Sequence, residues 1–160
     1  LVREIKPSQC TLVPDSDNQL TSDHGFNLMK DADRVAPIID ELKSMGIRTS
    51  LFMDPDPQQI KIAAEINAHR IELYTESFAQ AFIGKKDLDP VFKIYQTAAD
   101  AANDCGLGLN AGHDLNLDNL PKFCEIKNLL EVSIGHHLTV DALDMGLEQA
   151  IRSYKKILDP

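Results

Sequence analysis

Two stretches of this chain close an apolar run on a Gly-His pair: "LNAGHD" joins Gly112 to His113, and "VSIGHH" joins Gly135 to His136. A histidine held at the rim of a fold exchanges protons near neutral pH, the task of a general acid or base. The alternative is a His113 ring fixed by a neighbouring carboxylate, with a structural task only. Gly112 is expected to let the backbone turn sharply, leaving Asp114, Asn116 and Asp118 to cap the next helix. The second pair suits different chemistry. A glycine between a strand end and a helix N-terminus lets backbone N–H groups approach a phosphate, so an acidic chain binds a dianion without a basic surface. Glu72 lies within the otherwise apolar "RIELYT", where a carboxylate is costly unless paired or hydrated. It faces a site, faces outward, or pairs with Arg70. Asp54, Glu72, His113 and His136 would also serve as metal ligands if they converged, although no HxH or HExxH spacing supports that.

These residues need elements to hold them. Five short apolar runs alternate with helical patterns: Cys10–Pro14, Ile47–Asp54, "RIELYT" from Arg70, "LGLNAG" ending at Gly112, and "LEVSIGH" ending at His136. Between them, "DADRVAPIIDELKSMG" carries Val35, Ile38, Ile39 and Leu42 at helical spacing, with Gly46 at the C-terminus and an awkward Pro37. "DPDPQQIKIAAEI" presents Ile60, Ala63 and Ala64, and "DPVFKIYQTAADAANDCG" presents Val91, Ile94, Tyr95, Ala98 and Ala102. A helix is expected around Leu117–Ile126, and another over Val140–Ile157 with Leu143, Leu147, Ile151 and Tyr154 on one side. Thr21–Phe26 and Glu76–Asp89 read as polar loops, and His24 and His69 as loop and surface residues, while His137 is expected to point away from His136. Alternating βα units imply a parallel sheet. Polar residues at several strand C-termini favour part of a (β/α)8 barrel over an open doubly wound sheet, and no GxGxxG follows a strand.

The whole chain of 160 residues is expected to form one domain with its own core, given 43% hydrophobic content. A net charge of -9 argues against a nucleic-acid or anionic-membrane binder, and no apolar run reaches the length of a membrane span. Cys10, Cys105 and Cys124 lack CxxC spacing, so they read as small core residues in a reducing, cytoplasmic setting.

Taken together, "CTLVPDSDNQLTSDHGFN", "IRTSLFMDPD", "IELYTESFA", "LNAGHDLNLDNL" and "LEVSIGHHL" resemble the pyridoxine 5'-phosphate synthase family over essentially the whole chain. The resemblance implies a (β/α)8 TIM barrel, of which this chain supplies about five βα units, and a cytoplasmic homo-octamer. It implies condensation of 1-deoxy-D-xylulose 5-phosphate with 1-amino-3-hydroxyacetone 3-phosphate, with no metal or organic cofactor. By motif, His113 matches the family's proton donor and Glu72 its transition-state stabiliser. Thr21 matches the residue that binds the deoxyxylulose phosphate. Asp114, Gly135 and His136 match contacts to the aminoketone phosphate, and Asp114 stands where some members have glycine. The family begins with three further βα units that hold its proton acceptors, so the chain is expected to be a fragment, inactive alone. Two other readings stand beside this one: a metal-dependent aldolase or hydrolase on a phosphate-binding barrel, and a non-catalytic half-barrel module.

Overall fold

A computed structural model describes residues 1–85 and 87–159. In chain order the elements are α1 (Val2–Ile5), β1 (Gln9–Leu12), α2 (Leu28–Ser44), β2 (Arg48–Met53), α3 (Pro57–Glu65), β3 (Arg70–Tyr74), α4 (Glu76–Gly84), α5 (Leu88–Asp104), β4 (Gly108–Gly112), α6 (Leu120–Phe123), β5 (Leu129–Ser133), α7 (His136–Met145) and α8 (Leu147–Leu158). The five strands form one sheet in the order β1-β2-β3-β4-β5, every pair parallel. An open doubly wound sheet reverses strand order at a switch point, whereas consecutive strands of a barrel pair in sequence order. The expected α/β architecture with five barrel-type βα units is what the chain forms.

Strand alternation gives the sheet two chemically opposite faces. Leu51, Met53, Ile71, Leu73, Leu109 and Ala111 point one way and pack with Ile39, Ile60, Tyr95 and Phe123 from the helices in a single apolar core. The residues between them point the other way. In register, Thr11, Ser50, Arg70 and Gly108 make one row of this second face, and Phe52, Glu72, Asn110 and Glu131 the next. Tyr74, Gly112 and Ser133 make the row nearest the strand C-termini. Arg70 donates to Asn110 Oδ1 at 2.9 Å and pairs with Glu131, and Asn110 Nδ2 donates to Glu131 Oε2 at 2.9 Å. That network consumes Arg70, so it is not the partner of Glu72. Gly108 is glycine for space: a β-carbon there would sit 2.8 Å from Arg70 Cγ.

Several sequence expectations change. The expected loop at 76–89 is mostly α4, because Phe78 and Ala79 bury one face against the core while Glu76 and Gln80 masked that pattern; Lys86 lies outside the described residues. The expected helix at 140–157 is two helices broken at Gly146, whose φ of +88° suits a residue without a β-carbon. Leu143, Leu147 and Ile151 are exposed; in α8, Ala150 and Tyr154 are buried and Ile157 packs, partly buried, against the core. Ile94 is exposed too, since α5 turns Phe92, Tyr95, Ala98, Ala99 and Ala102 inward. The helix around 117–126 contracts to α6. Pro37 lies within α2 on its exposed side, and its missing N–H leaves one carbonyl of the preceding turn without its helical partner. The three cysteines are free and partly buried. Among the described residues, no helix is long and apolar enough to cross a membrane.

His69 is no mere surface residue. Its Nδ1 accepts the Thr49 backbone N–H at 3.1 Å and lies 2.9 Å from Thr49 Oγ1, and the buried Thr49 sits at the N-terminal end of β2. Accepting that N–H requires an unprotonated Nδ1. Burial, with Lys43 and Arg48 nearby, pushes the imidazole below its ordinary value. The unfolded chain therefore binds a proton below about pH 6.5 that the folded chain refuses, and the contribution of His69 to stability fades as pH falls. The melting-temperature gap between the parent and His69→Gln should narrow from about pH 7.5 to about pH 5.5. A gap that stays constant would remove this linkage.

Candidate active site

The polar face of the sheet opens into a cleft of about 720 Å³ at the strand C-termini. Thr21, Glu72, His113, Asp114, Gly135 and His136 all line it. Four segments far apart in the chain thus bring all six sequence-selected residues together. Asp54 takes another post: its Oδ1 accepts the Gly25 N–H at 3.2 Å. A β-carbon at Gly25 would lie 2.1 Å from Asp54 N, so only glycine lets this loop close onto the end of β2. The Phe26 N–H continues the attachment to Phe52 O at 2.9 Å. Gln19 braces the loop tip, donating to Thr21 O at 3.1 Å and Asp23 Oδ1 at 2.8 Å. Thr21 is thereby carried across to His113, with Oγ1 3.3 Å from the imidazole Nε2.

Glu72 faces this cleft and is only 7% exposed. Thr11 Oγ1 donates to its Oε2 at 3.1 Å. Gly112 leaves room for its other oxygen, because a β-carbon at 112 would lie 2.4 Å from Glu72 Oε1 and 2.9 Å from Ser133 Cβ. This revises the expected role of Gly112: it provides space, and the bend falls on the next two residues. His113 has φ +89° and Asp114 φ +57°, both in the region that residues with a β-carbon disfavour.

The His113 ring packs edge-on against Tyr74, with centroids 4.9 Å apart. Its Nδ1 lies 3.2 Å from Asp114 Oδ2, yet the alignment is not that of a hydrogen bond and the buried nitrogen has no partner. The carboxylate alternative for His113 is therefore only loosely realised. Tyr74 bonds to Glu76, and burial together with that carboxylate pushes the phenol well above its ordinary range, keeping the ring neutral. At the far wall, Gly135 precedes the first turn of α7, and no side chain caps that turn. Its backbone N–H groups and the positive end of the helix are free for an anion. Among the described residues, no three His, Cys, Asp or Glu side chains gather to hold a metal ion.

Thr11, Phe52 and Ser133 also line the cleft and were not singled out from the sequence. The available signal was strand alternation: Thr11 shares a row with Ser50, and Phe52 shares one with Glu72. An apolar reading of whole strands hides that second face.

Parallel strands in sequence order, with the cleft at their carboxyl ends, define a barrel-type α/β protein. Residues 1–160 match the family model described as "Pyridoxal phosphate biosynthesis protein PdxJ", and the chain belongs to that family. It is 50% identical over 159 residues to the pyridoxine 5'-phosphate synthase of Christiangramia forsetii, covering 99% of this chain and 66% of the relative. The enzyme of the same name from Porphyromonas gingivalis is 46% identical over 156 residues, covering 97% of this chain and 65% of that protein. That from Xanthomonas campestris pv. campestris (strain B100) is 46% identical over 159 residues, covering 99% of this chain and 62% of that protein. The chain thus spans somewhat under two thirds of the length of these curated relatives.

Proposed function

We propose that this chain serves a pyridoxine 5'-phosphate synthase, which condenses 1-deoxy-D-xylulose 5-phosphate with 1-amino-3-hydroxyacetone 3-phosphate. The observation that carries the reading is the convergence of Thr21, Glu72, His113, Asp114, Gly135 and His136 on one cleft. Joining an amine to a ketone, then losing water and phosphate, requires protons to be delivered and removed beside a carbonyl carbon. His113 donates protons to the departing oxygens. Glu72, fixed by Thr11, stabilises positive charge that develops during ring closure. Thr21 holds the deoxyxylulose phosphate next to His113. The first turn of α7 at Gly135 and His136 binds the aminoketone phosphate through backbone N–H groups. Asp114 contributes its backbone there, since a carboxylate side chain beside a phosphate is repulsive.

The chain is one domain on this reading, works in the cytoplasm, and belongs to a homo-octamer that requires no metal or organic cofactor. The exposed Leu143 of α7, with the exposed Leu147 and Ile151 of α8, supports burial against another protein surface.

The test uses the full natural protein with both substrates. Two phosphates enter and the product keeps one, so the expected result is pyridoxine 5'-phosphate with equimolar inorganic phosphate, unchanged by EDTA. Turnover abolished by EDTA and restored by a divalent cation would favour the metal-dependent aldolase or hydrolase. Absence of product under all conditions would leave a non-catalytic module.

A further inference from the structure

His113 sits on a bend that its own backbone disfavours, with φ +89° there and φ +57° at Asp114. Of the five strand exits in the described residues, only that of β4 uses positive φ outside glycine, so leaving a strand in this sheet does not require it. Such conformations persist where the surroundings over-determine them. Here three fully buried polar side chains secure successive carbonyls around the bend. The Tyr95 hydroxyl donates to Tyr74 O at 2.7 Å, anchoring the end of β3. The Thr75 backbone N–H donates to Gly112 O at 3.1 Å. Its hydroxyl shares one proton between Gly112 O, at 2.9 Å, and His113 O. Asn119 Nδ2 then holds Asp114 O at 3.0 Å, while its Oδ1 accepts the Asn116 N–H at 2.8 Å. None of these three side chains lines the cleft.

We infer that Thr75 is a positioning residue for His113, acting through the His113 carbonyl, with Asn119 as the second anchor of the same clamp. The clamp turns the imidazole back over the cleft, against Tyr74 and within 3.3 Å of Thr21 Oγ1. Thr75 is the central member because it alone secures two consecutive carbonyls. This inference rests on the reading of His113 as the proton donor.

Thr75→Val keeps the shape and the backbone N–H and removes the hydroxyl; Thr75→Ser restores a hydroxyl. In the full natural protein, Thr75→Val is expected to lower kcat by at least about tenfold and on the order of a hundredfold, because small misplacements of a catalytic group cost that much. KM should stay within about twofold, and Thr75→Ser should recover turnover near the parent's. In a His113→Ala background, Thr75→Val should cost nothing further, and an independent, multiplicative loss would overturn the inference. Nitrogen-15 histidine NMR reads the ring without turnover: the His113 resonances should shift in the Val variant and stay near parental in the Ser variant. Unshifted resonances in a folded Val variant would also overturn it. Full turnover in His113→Ala would instead remove the catalytic reading of His113, and with it the catalytic part of the inference, while the NMR comparison still decides whether Thr75 holds the ring. Should Thr75→Val fail to fold, Thr75→Ala carries the same comparison.

Discussion

Replacing His113 with alanine is expected to lower turnover by about 10²- to 10⁴-fold, the range that a positioned general acid or base contributes. The fold should survive. His113 belongs to the polar face and not to the apolar core, and alanine keeps the β-carbon that the bend already accommodates. Its side chain meets the Tyr74 edge, the Thr21 hydroxyl at 3.3 Å and the neighbouring Asp114 carboxylate at 3.2 Å, none of them in the apolar core, and Thr75 and Asn119 hold backbone carbonyls that alanine retains. Steady-state kinetics with a circular-dichroism melt separates the two effects. Turnover within about twofold of the parent would show that protons reach the substrate from another group, and the assignment of His113 would fall.

Gly112→Ala should separate activity from stability in an informative way. The new β-carbon would lie 2.4 Å from Glu72 Oε1 and 2.9 Å from Ser133 Cβ, so one of these groups must move. Ser133 Cβ is attached directly to strand backbone, whereas the carboxylate is the end of a flexible side chain. Glu72 should therefore yield, breaking its 3.1 Å bond from Thr11. The stability loss is expected to be about 1–3 kcal/mol, as for other overpacked sites. Turnover should fall by about 10- to 100-fold, because the displaced carboxylate loses its aim. Gly84→Ala is the matched control: nothing lies within 4 Å of a β-carbon there, and stability should change by no more than about 0.5 kcal/mol. Equal turnover in the two variants would mean that the position of Glu72 does not matter to the chemistry.

The α/β class, the five parallel strands and six of the residues that line the cleft were legible in the sequence, whereas Thr11, Phe52 and Ser133 were not. Period-2 and period-3.6 patterns record burial directly, and the Gly-His pairs and the loop carrying Thr21 are local motifs. The boundaries that failed did so for local reasons. Glu76 and Gln80 disguised α4 as a polar loop, and Gly146 broke an apolar stripe that looked like one helix. What the sequence by itself determined is a parallel βα layer with acid–base and anion-binding residue types at its strand ends. Only the tertiary structure decided the partners of those residues. Arg70 turned to Asn110 and Glu131 instead of Glu72, Glu72 took Thr11 from two strands away, and Gly112 proved to be glycine for the sake of the Glu72 carboxylate. Those outcomes depend on register and on curvature across neighbouring strands, which bring together side chains 40 to 61 residues apart in the chain and leave no periodic trace along it.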